Sequence, residues 1–394
     1  MTKSYINTIL DEADFLHEKI VLYRRHLHQY PELSFQEKET STYVFNTLKN
    51  IGIEQVSFLC DTGVVAYIPS KERDNKTCIA FRADLDALPI EEQNELSYKS
   101  KNHGVMHACG HDAHTAILLG FAELAWKHRG KLKKGIKIIF QPGEERNPGG
   151  ASLLIAEGVL ENPKVEKIYA LHVYPDLKTG SFGYKSGKYM ASSDEIYIKV
   201  YGKGGHGALP HLCVDTVLIA SQLIVQLQQL VSRFIPAQIP SVLSFGYFEA
   251  KGSTNVIPDM AEIRGTFRCM DESWRKKALE KIEEIVHQSV LSSGGKAEFY
   301  VSRGYPMLYN NDSLSSEWLN NMSQYFEREN LKELDLRMTS EDFAFYSLKT
   351  PSFFFRLGVS DIKNENQYGV HHPKFNIDEK SLVFGVKAFV LCAF

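Results

Sequence analysis

The octapeptide at residues 107–114, His-Ala-Cys-Gly-His-Asp-Ala-His, places a thiol and several imidazoles close together. Cys109 and His111 are separated only by Gly110, and a sharp turn at a glycine can direct both ligand atoms toward one point. Borderline divalent cations accept thiolate and imidazole together, so this spacing predicts metal binding. The alternative is a buried cysteine beside solvated histidines, and the octapeptide alone is compatible with either.

A pair of carboxylates, Glu144 and Glu145, follows a Gln-Pro-Gly turn at residues 141–143 and an apolar segment. Adjacent side chains in a turn point in different directions. One carboxylate can therefore bind a metal while the other faces a water molecule. Two solvated loop glutamates are the commoner outcome of such a pair, but the apolar strand before them favours a site.

Two further places in the chain offer imidazoles. His172 ends an apolar run at residues 168–171. A run this apolar belongs in the interior, where an imidazole needs a partner, either a hydrogen-bonding group or a metal. His371 and His372 lie in a loop near the C-terminus, where two surface histidines are the alternative to a metal ligand.

Asp84 and Asp86 follow another apolar run, at residues 77–83. Metal-bound histidines usually donate their second N–H to a carboxylate, so both aspartates are expected behind the ligands, orienting an imidazole. Arg82 could instead pair with either aspartate as a structural ion pair.

A glycine-rich loop at residues 202–211 contains two histidines. The loop lacks the strand–glycine–helix setting and the Lys-Ser/Thr ending of a phosphate-binding loop, so nucleotide binding is not expected. Either it is a simple turn, or it delivers His206 to a substrate oxygen. Asn255, in the segment 253–258, could present its amide in the same way.

The segments around these residues alternate between helices and apolar strands. Helices are predicted over 8–30, 34–50 and 112–128, and strands over 77–83, 136–140 and 168–171. This alternation indicates an α/β fold, with a mostly parallel sheet flanked by helices. Asp84, the Glu144–Glu145 pair and His172 each follow one of these strands. Ligand sites in open α/β sheets form at the carboxyl ends of strands, so these side chains are expected to converge.

The pattern changes between residues 192 and 303. Strands are predicted over 195–200, 242–247, 261–268 and 297–301, and helices over 214–232 and 273–292. The resulting β-α-β-β-α-β order is typical of a ferredoxin-like α+β domain inserted into the first domain. A strand at 353–357 then returns to the first domain. We therefore divide the chain into a catalytic domain at 1–191 and 304–394 and an inserted lid domain at 192–303.

Composition narrows the class of protein. A chain of 394 residues is too long for one ordinary domain core. The net charge of −3 and the absence of a dominant basic stripe give no reason to expect nucleic acid. The six cysteines are scattered without framework spacing, which favours reduced thiols. No signal peptide and no run of ~20 apolar residues is evident, so we expect a soluble cytoplasmic protein without a membrane partner.

Taken together, the motifs resemble the di-metal amidohydrolases of the aminoacylase/carboxypeptidase family. The chain looks most like the N-acyl amino acid amidohydrolases among them, which include hippurate hydrolases, auxin-conjugate hydrolases and N-acetyl-diaminopimelate deacetylases. The resemblance covers nearly the whole chain, in motifs at residues 24–35, 82–89, 106–114, 140–145, 204–206, 339–343 and around 371. Such an ordered set is highly specific.

The resemblance implies which residues bind two divalent cations. The implied ligands are Cys109, His111, Glu145, His172 and His371, with Cys109 between the two ions. His371 is favoured over His372 because the family's ligand stands two residues before the proline. Mixed thiolate, imidazole and carboxylate ligands suit Zn²⁺, Mn²⁺, Co²⁺ or Ni²⁺.

The same resemblance implies the reaction, which is hydrolysis of an N-acyl amino acid to a free amino acid and a carboxylic acid. The cations polarise the amide carbonyl and hold a water, Glu144 is the general base, and His206 and Asn255 stabilise the oxyanion. A carboxypeptidase or dipeptidase using the same site is the alternative, and a silent metal-dependent binding protein is a third. The resemblance also implies a homodimer formed through the lid, and it leaves the acyl group and the amino acid open.

Overall fold

The computed structural model describes residues 2–70, 76–361 and 368–394. The chain forms two compact units. The first unit contains Met1–Gly187, Tyr309–Asp335 and Asp342–Phe394, and the second contains Lys188–Leu308 and Leu336–Glu341. Among the described residues, no helix combines the length and the apolar character that crossing a bilayer requires.

Strands and helices are numbered here in chain order. The strands β1–β16 are Gln55–Leu59, Gly63–Ile68, Thr77–Asp84, Gly135–Gln141, Lys164–Lys178, Phe182–Tyr184, Gly187–Met190, Asp194–Tyr201, Gly205–His206, Ser241–Glu249, Val256–Ile257, Met260–Cys269, Lys296–Arg303, Leu308–Asn310, Leu331–Glu333 and Ser352–Ser360. The helices α1–α10 are Lys3–Phe15, His17–Gln29, Lys38–Ile51, His111–Lys127, Gly150–Ala156, Thr216–Leu227, Glu272–Ser292, Asp312–Met322, Ala344–Ser347 and Ser381–Ala393.

The first unit is built on an eight-stranded sheet in the order β1-β2-β4-β3-β5-β16-β6-β15. Its four central strands, β4, β3, β5 and β16, are parallel to one another. Strands β3 and β4 are almost entirely buried, as expected for parallel strands covered on both faces. Helix α4 packs against β3, α2 and α10 and is buried nearly all round. The predicted α/β class is confirmed.

Two of the expected site residues, Asp84 and His172, lie level with one another at the carboxyl edge of this sheet. Asp84 pairs with Gln141 across β3 and β4. Arg82 pairs with Ala170 across β3 and β5, so His172 is level with Asp84. The prediction that a strand ends at His172 is wrong, because β5 continues to Lys178. It does so because β16 keeps pairing with it beyond the end of β3.

Two predicted helices also differ from the structure. The helix expected over residues 8–30 is divided at Leu16 into α1 and α2. The helical spacing of apolar residues continues through Leu16, so the sequence pattern does not predict this break between the two helices. The helix expected from residue 34 begins only at Lys38, and Phe35 has a φ of +64°, which a right-handed helix cannot contain.

The second unit contains the β-α-β-β-α-β order that the sequence predicts, formed by β8, α6, β10, β12, α7 and β13. Its four strands form an antiparallel sheet in the order β10-β12-β8-β13. Along β8, Ile196, Ile198 and Val200 are buried in a core shared with α6 and α7, while alternate residues are more exposed. The predicted ferredoxin-like insert is confirmed. Helix α6 ends at Leu227, earlier than expected, and residues 230–234 form a π-helical turn.

Candidate metal centre

The turn before α4 directs Cys109 and His111 to the same side. Gly110 has a φ of +86°, a conformation that L side chains rarely adopt. A Cβ added at Gly110 would lie 2.5 Å from Val173 Cγ2, so the close approach to β5 also requires glycine. Both neighbours of Gly110 are buried, and His111 is the first residue of α4.

The five ligands implied by the sequence lie in one continuous cluster in the first unit. Cys109 Sγ is 3.4 Å from His172 Nε2. Glu145 Oε1 is 3.2 Å from His371 Nε2 and 3.9 Å from His111 Nε2. The sets whose ligand atoms lie within 4.8 Å of one another include Cys109–His111–His172, Cys109–Glu145–His371 and His111–Glu144–Glu145. Glu144 therefore borders the same cluster.

Two atoms of the cluster support a cation site directly. His111 Nε2 and Glu145 Oε1 are buried, and neither has a hydrogen-bond partner among the described residues. Buried polar atoms are rarely left unpaired in folded proteins, so such exceptions need an explanation. An imidazole nitrogen and a carboxylate oxygen that face the same space fit a divalent cation, which would displace a proton from the imidazole.

Hydrogen bonds fix which nitrogen each histidine presents to the cluster. His111 Nδ1 donates to the carbonyl oxygen of Asp86 at 2.8 Å, leaving Nε2 as the ligand atom. His172 Nδ1 donates to the carbonyl oxygen of Val173 at 2.7 Å, so its Nε2 faces Cys109. Burial lowers the pKa of His172 well below its usual range, and nearby His114 lowers it further. The neutral imidazole is the form that binds metal.

Asp84 and Asp86 stand behind the ligands, but they orient different rings. Asp86 lies against His111, with its Oδ1 3.2 Å from Nδ1. Asp84 Oδ1 accepts from His114 Nδ1 at 2.6 Å, and the Val173 N–H donates to His114 Nε2 at 2.9 Å. His114 thus supports the peptide that follows His172. Sequence reasoning missed this role, although His114 lies within the octapeptide.

Arg82 forms a structural ion pair with Asp84, one of the two aspartates that the sequence offers as its partner. Its Nη1 donates to Asp84 Oδ2 at 2.7 Å and its Nη2 to Asp342 Oδ1 at 2.8 Å, and all three side chains are buried. Asp84 therefore accepts from both an arginine and a histidine. The coulombic attraction of His111, His114 and Arg82 outweighs burial and holds the pKa of Asp84 well below its usual range.

The electrostatics of the cluster favour a cation. Burial raises the pKa of the Cys109 thiol well above its usual range, and the carboxylates of Glu145 and Glu144 raise it further. Burial alone would lower the pKa of His111, but Asp84 and Asp86 raise it to about 10. Without a metal, burial and nearby carboxylates therefore favour the protonated thiol of Cys109, and nearby carboxylates favour the protonated ring of His111. A divalent cation would offset that charge and displace those protons.

The structure distinguishes the two adjacent histidines of the C-terminal loop. His371 has a φ of +66°, its backbone N–H donates to the carbonyl oxygen of Ala108 at 2.7 Å, and its ring faces Glu145. The ring of His372 stacks on Tyr368 with 4.2 Å between centroids, and its Nδ1 accepts from the Lys374 N–H. Only His371 thus joins the described ligand sets.

His206 and Asn255 belong to the second unit, where a short antiparallel pair of strands brings them together. His206 in β9 pairs with Val256 in β11, and the Gly207 N–H donates to the carbonyl oxygen of Asn255 at 2.8 Å. His206 Nδ1 accepts from the Ala208 N–H at 3.1 Å, so the neutral ring carries its proton on Nε2. Asn255 Oδ1 accepts from the Ser253 hydroxyl at 3.1 Å, which orients the amide.

A parallel α/β sheet whose carboxyl edge gathers thiol, imidazole and carboxylate ligands around a paired glutamate defines a metal-dependent hydrolase. Residues 80–393 match the model of peptidase family M20/M25/M40, and the chain belongs to that family. The resemblance to di-metal amidohydrolases is thereby confirmed, and the protein is an enzyme that hydrolyses amide bonds.

Three relatives illustrate the range of this family. The chain is 39% identical over 312 residues to an N-acyl-L-amino acid amidohydrolase of Geobacillus stearothermophilus, covering 79% of this chain and 82% of that protein. It is 35% identical to thermostable carboxypeptidase 2 of Saccharolobus solfataricus, covering 98% of both. The crystal structure of the Bacillus subtilis YXEP protein, a dinuclear metal-binding M20 peptidase, superposes with a TM-score of 0.81. That protein is 34% identical, with 96% of this chain and 98% of that chain covered.

Proposed function

We propose that this enzyme hydrolyses the amide bond of N-acyl amino acids and releases a free amino acid and a carboxylic acid. The observation that carries the proposal is the cluster of candidate ligands with Glu144 at its border, in a chain 39% identical to an N-acyl-L-amino acid amidohydrolase. A protein that only binds its ligand needs no general base beside the metal site. The glutamate pair therefore favours catalysis over binding alone.

Two divalent cations would be held in the cluster by Cys109, His111, Glu145, His172 and His371. When bound, the cations supply Lewis-acid polarisation of the amide carbonyl and make a nearby water more acidic. The donor set suits Zn²⁺, Mn²⁺, Co²⁺ or Ni²⁺.

The chain's own residues then move the protons. Glu144 removes a proton from the attacking water and returns it to the departing nitrogen, which leaves as a neutral amine. His206 donates from Nε2, and Asn255 from its amide, to the oxyanion of the tetrahedral intermediate. Asp86 keeps His111 in the tautomer that presents Nε2.

The substrate class is tested by amine release from a panel of N-acetyl amino acids, N-benzoyl amino acids and dipeptides, with and without chelator. We expect N-acyl amino acids to be cleaved with the highest kcat/KM, and the chelator to stop the reaction. The alternative is a carboxypeptidase or dipeptidase that uses the same site, and the sequence identity to a carboxypeptidase supports it. In that case the kcat/KM would be highest for dipeptides. No amine release from any substrate by metal-loaded protein would leave the binding-protein alternative.

We also propose that the enzyme works in the cytoplasm. We further propose that it forms a homodimer through the second unit, which corresponds to the predicted lid domain. All six cysteines lie in the described residues and carry free thiols, which is compatible with a reducing compartment. The exposed face of α6 supports the interface, since Leu218 and Val225 are 54% and 74% exposed. Sedimentation of the purified protein tests the oligomeric state.

His206 is proposed to act on the site of the partner subunit. His206→Ala is expected to keep metals and folding but to lower kcat ~10²–10³-fold, the usual cost of losing one oxyanion donor. Mixing His206→Ala with Glu144→Gln subunits checks the arrangement, because some heterodimers then regain one intact site. If activity does not recover despite proven subunit exchange, His206 does not act in trans.

A further inference from the structure

The segment between α2 and α3 provides no candidate ligand, yet it packs against the glutamate turn. Phe35 has a φ of +64°, which is uncommon for a residue other than glycine. A Cβ added at Gly143 would lie 2.3 Å from two carbons of the Phe35 ring. Gly143 itself has a φ of +59°. The ring and the turn therefore fit each other only because residue 143 is a glycine.

Glu37, at the end of the same segment, bonds the turn directly. Its side chain is fully buried. The Gly143 N–H donates to Glu37 Oε1 at 2.8 Å, and the Thr62 hydroxyl donates to Oε2 at 2.8 Å. Both carboxylate oxygens thus have an acceptor role, and one of them holds the residue just before Glu144.

A second carboxylate holds the residue just after Glu144. The Glu145 N–H donates to Asp86 Oδ2 at 2.9 Å, and the Ser34 hydroxyl donates to the same oxygen at 2.7 Å. The backbone N–H groups on either side of Glu144 therefore both end on buried carboxylates. Fixed peptides on both sides of Glu144 fix the direction of its Cα–Cβ bond, from which the carboxylate extends.

We propose that Glu37 is a positioning residue that aims the Glu144 carboxylate by holding the Gly143 N–H. The proposal rests on the proposed function, in which Glu144 is the general base. Asp86 has a double role, because it also bonds His111. The Glu37 carboxylate, by contrast, accepts hydrogen bonds from Gly143 and Thr62, and neither of these residues is a candidate ligand. Glu37 is therefore expected to affect the direction of the base without affecting the metals.

Three substitutions distinguish the hydrogen bond between Glu37 and Gly143 from the charge of Glu37 and from its other hydrogen bond, with Thr62. Glu37→Asp keeps the charge but withdraws the oxygen from Gly143 by one methylene. Glu37→Gln removes the charge but keeps an oxygen at the same reach. Thr62→Val is the matched control, since it removes the other hydrogen bond of the same carboxylate and leaves the Gly143 contact in place.

Each variant is loaded with Mn²⁺, and three quantities are measured: bound metal, hydrogen exchange of the peptide spanning 141–150, and kcat with KM. Glu37→Asp is expected to keep two metals, to exchange faster at 143–145 and to lose about 10- to 100-fold in kcat, since displacing a catalytic group by 1 Å can cost ~10²-fold. Its KM is expected to change by no more than about twofold, because only the transition state is affected. Glu37→Gln and Thr62→Val are expected to resemble the wild type.

Three results would overturn this role. The first is wild-type exchange and kcat in Glu37→Asp, the second is an equal loss of kcat in Glu37→Asp and Thr62→Val, and the third is loss of metal from Glu37→Asp. If Glu37→Asp does not fold, Glu37→Gln is the variant that tests the proposal. A large loss of kcat in Glu37→Gln would contradict the hydrogen-bond explanation, because glutamine keeps an oxygen near the Gly143 N–H. Hydrogen exchange needs no substrate, so it still tests Glu37 if the wild type cleaves no N-acyl amino acid.

Discussion

Glu144→Gln is expected to retain both metal ions and to lose ~10²–10⁴-fold or more in kcat, the usual cost of removing a general base. Glutamine has nearly the same shape, but its amide cannot take a proton from water. KM is expected to change little, because the lost step belongs to the chemistry and not to substrate binding. Steady-state kinetics on the best N-acyl amino acid, together with metal analysis, check this result.

The neighbouring residue provides the matched control. Glu145→Gln is expected to weaken metal binding itself, because Glu145 Oε1 is the buried carboxylate oxygen that faces both His111 and His371. The two variants differ by one position in the same turn, so general damage to the turn should affect them alike. If Glu144→Gln is the variant that loses metal, the two roles are reversed.

Removal of the metal is expected to abolish hydrolysis completely, and added Mn²⁺ or Zn²⁺ is expected to restore it. The chelated protein should also melt at a lower temperature, because the cluster then holds several carboxylates and a thiol without the cation that offsets them. Binding stabilises a folded protein by about 2.7 kcal/mol at a ligand concentration of 100 Kd, so the change in Tm is measurable. Full activity in thoroughly stripped protein would refute the mechanism.

The C-terminal histidine pair makes this test specific to one ligand. His371→Ala is expected to need much more metal for reactivation than the wild type, since its ring faces Glu145. His372→Ala is expected to reactivate like the wild type, because that ring stacks on Tyr368. Equal behaviour of the two variants in a metal titration would contradict the assignment of His371.

The sequence was informative where spacing and local chemistry are enough. Cys109 and His111 stand on either side of one glycine turn, so their convergence is set by neighbouring residues. The apolar runs at β3 and β4 predicted a buried parallel sheet, because strands covered on both faces need apolar side chains throughout. The alternation within the insert predicted its ferredoxin-like order in the same way.

Errors arose where distant segments decide the local structure. The residue pattern predicts a helix from residue 34, but Ser34 and Glu37 lie in a loop before that helix. Their hydrogen-bond partners lie 52 and 106 residues away along the chain. The end of β5 depends on pairing with β16, which follows it by more than a hundred residues. Neither partner is visible in a local window of sequence.

What the sequence by itself determined was therefore the set of candidate ligands and the fold class, since ligand chemistry and apolar periodicity are properties of short segments. Only the tertiary structure decided which nitrogen each ring presents to the cluster. It also decided which carboxylates hold the glutamate turn. Those choices depend on hydrogen bonds between residues far apart in the chain, and such bonds exist only once the sheet has brought its strand ends together.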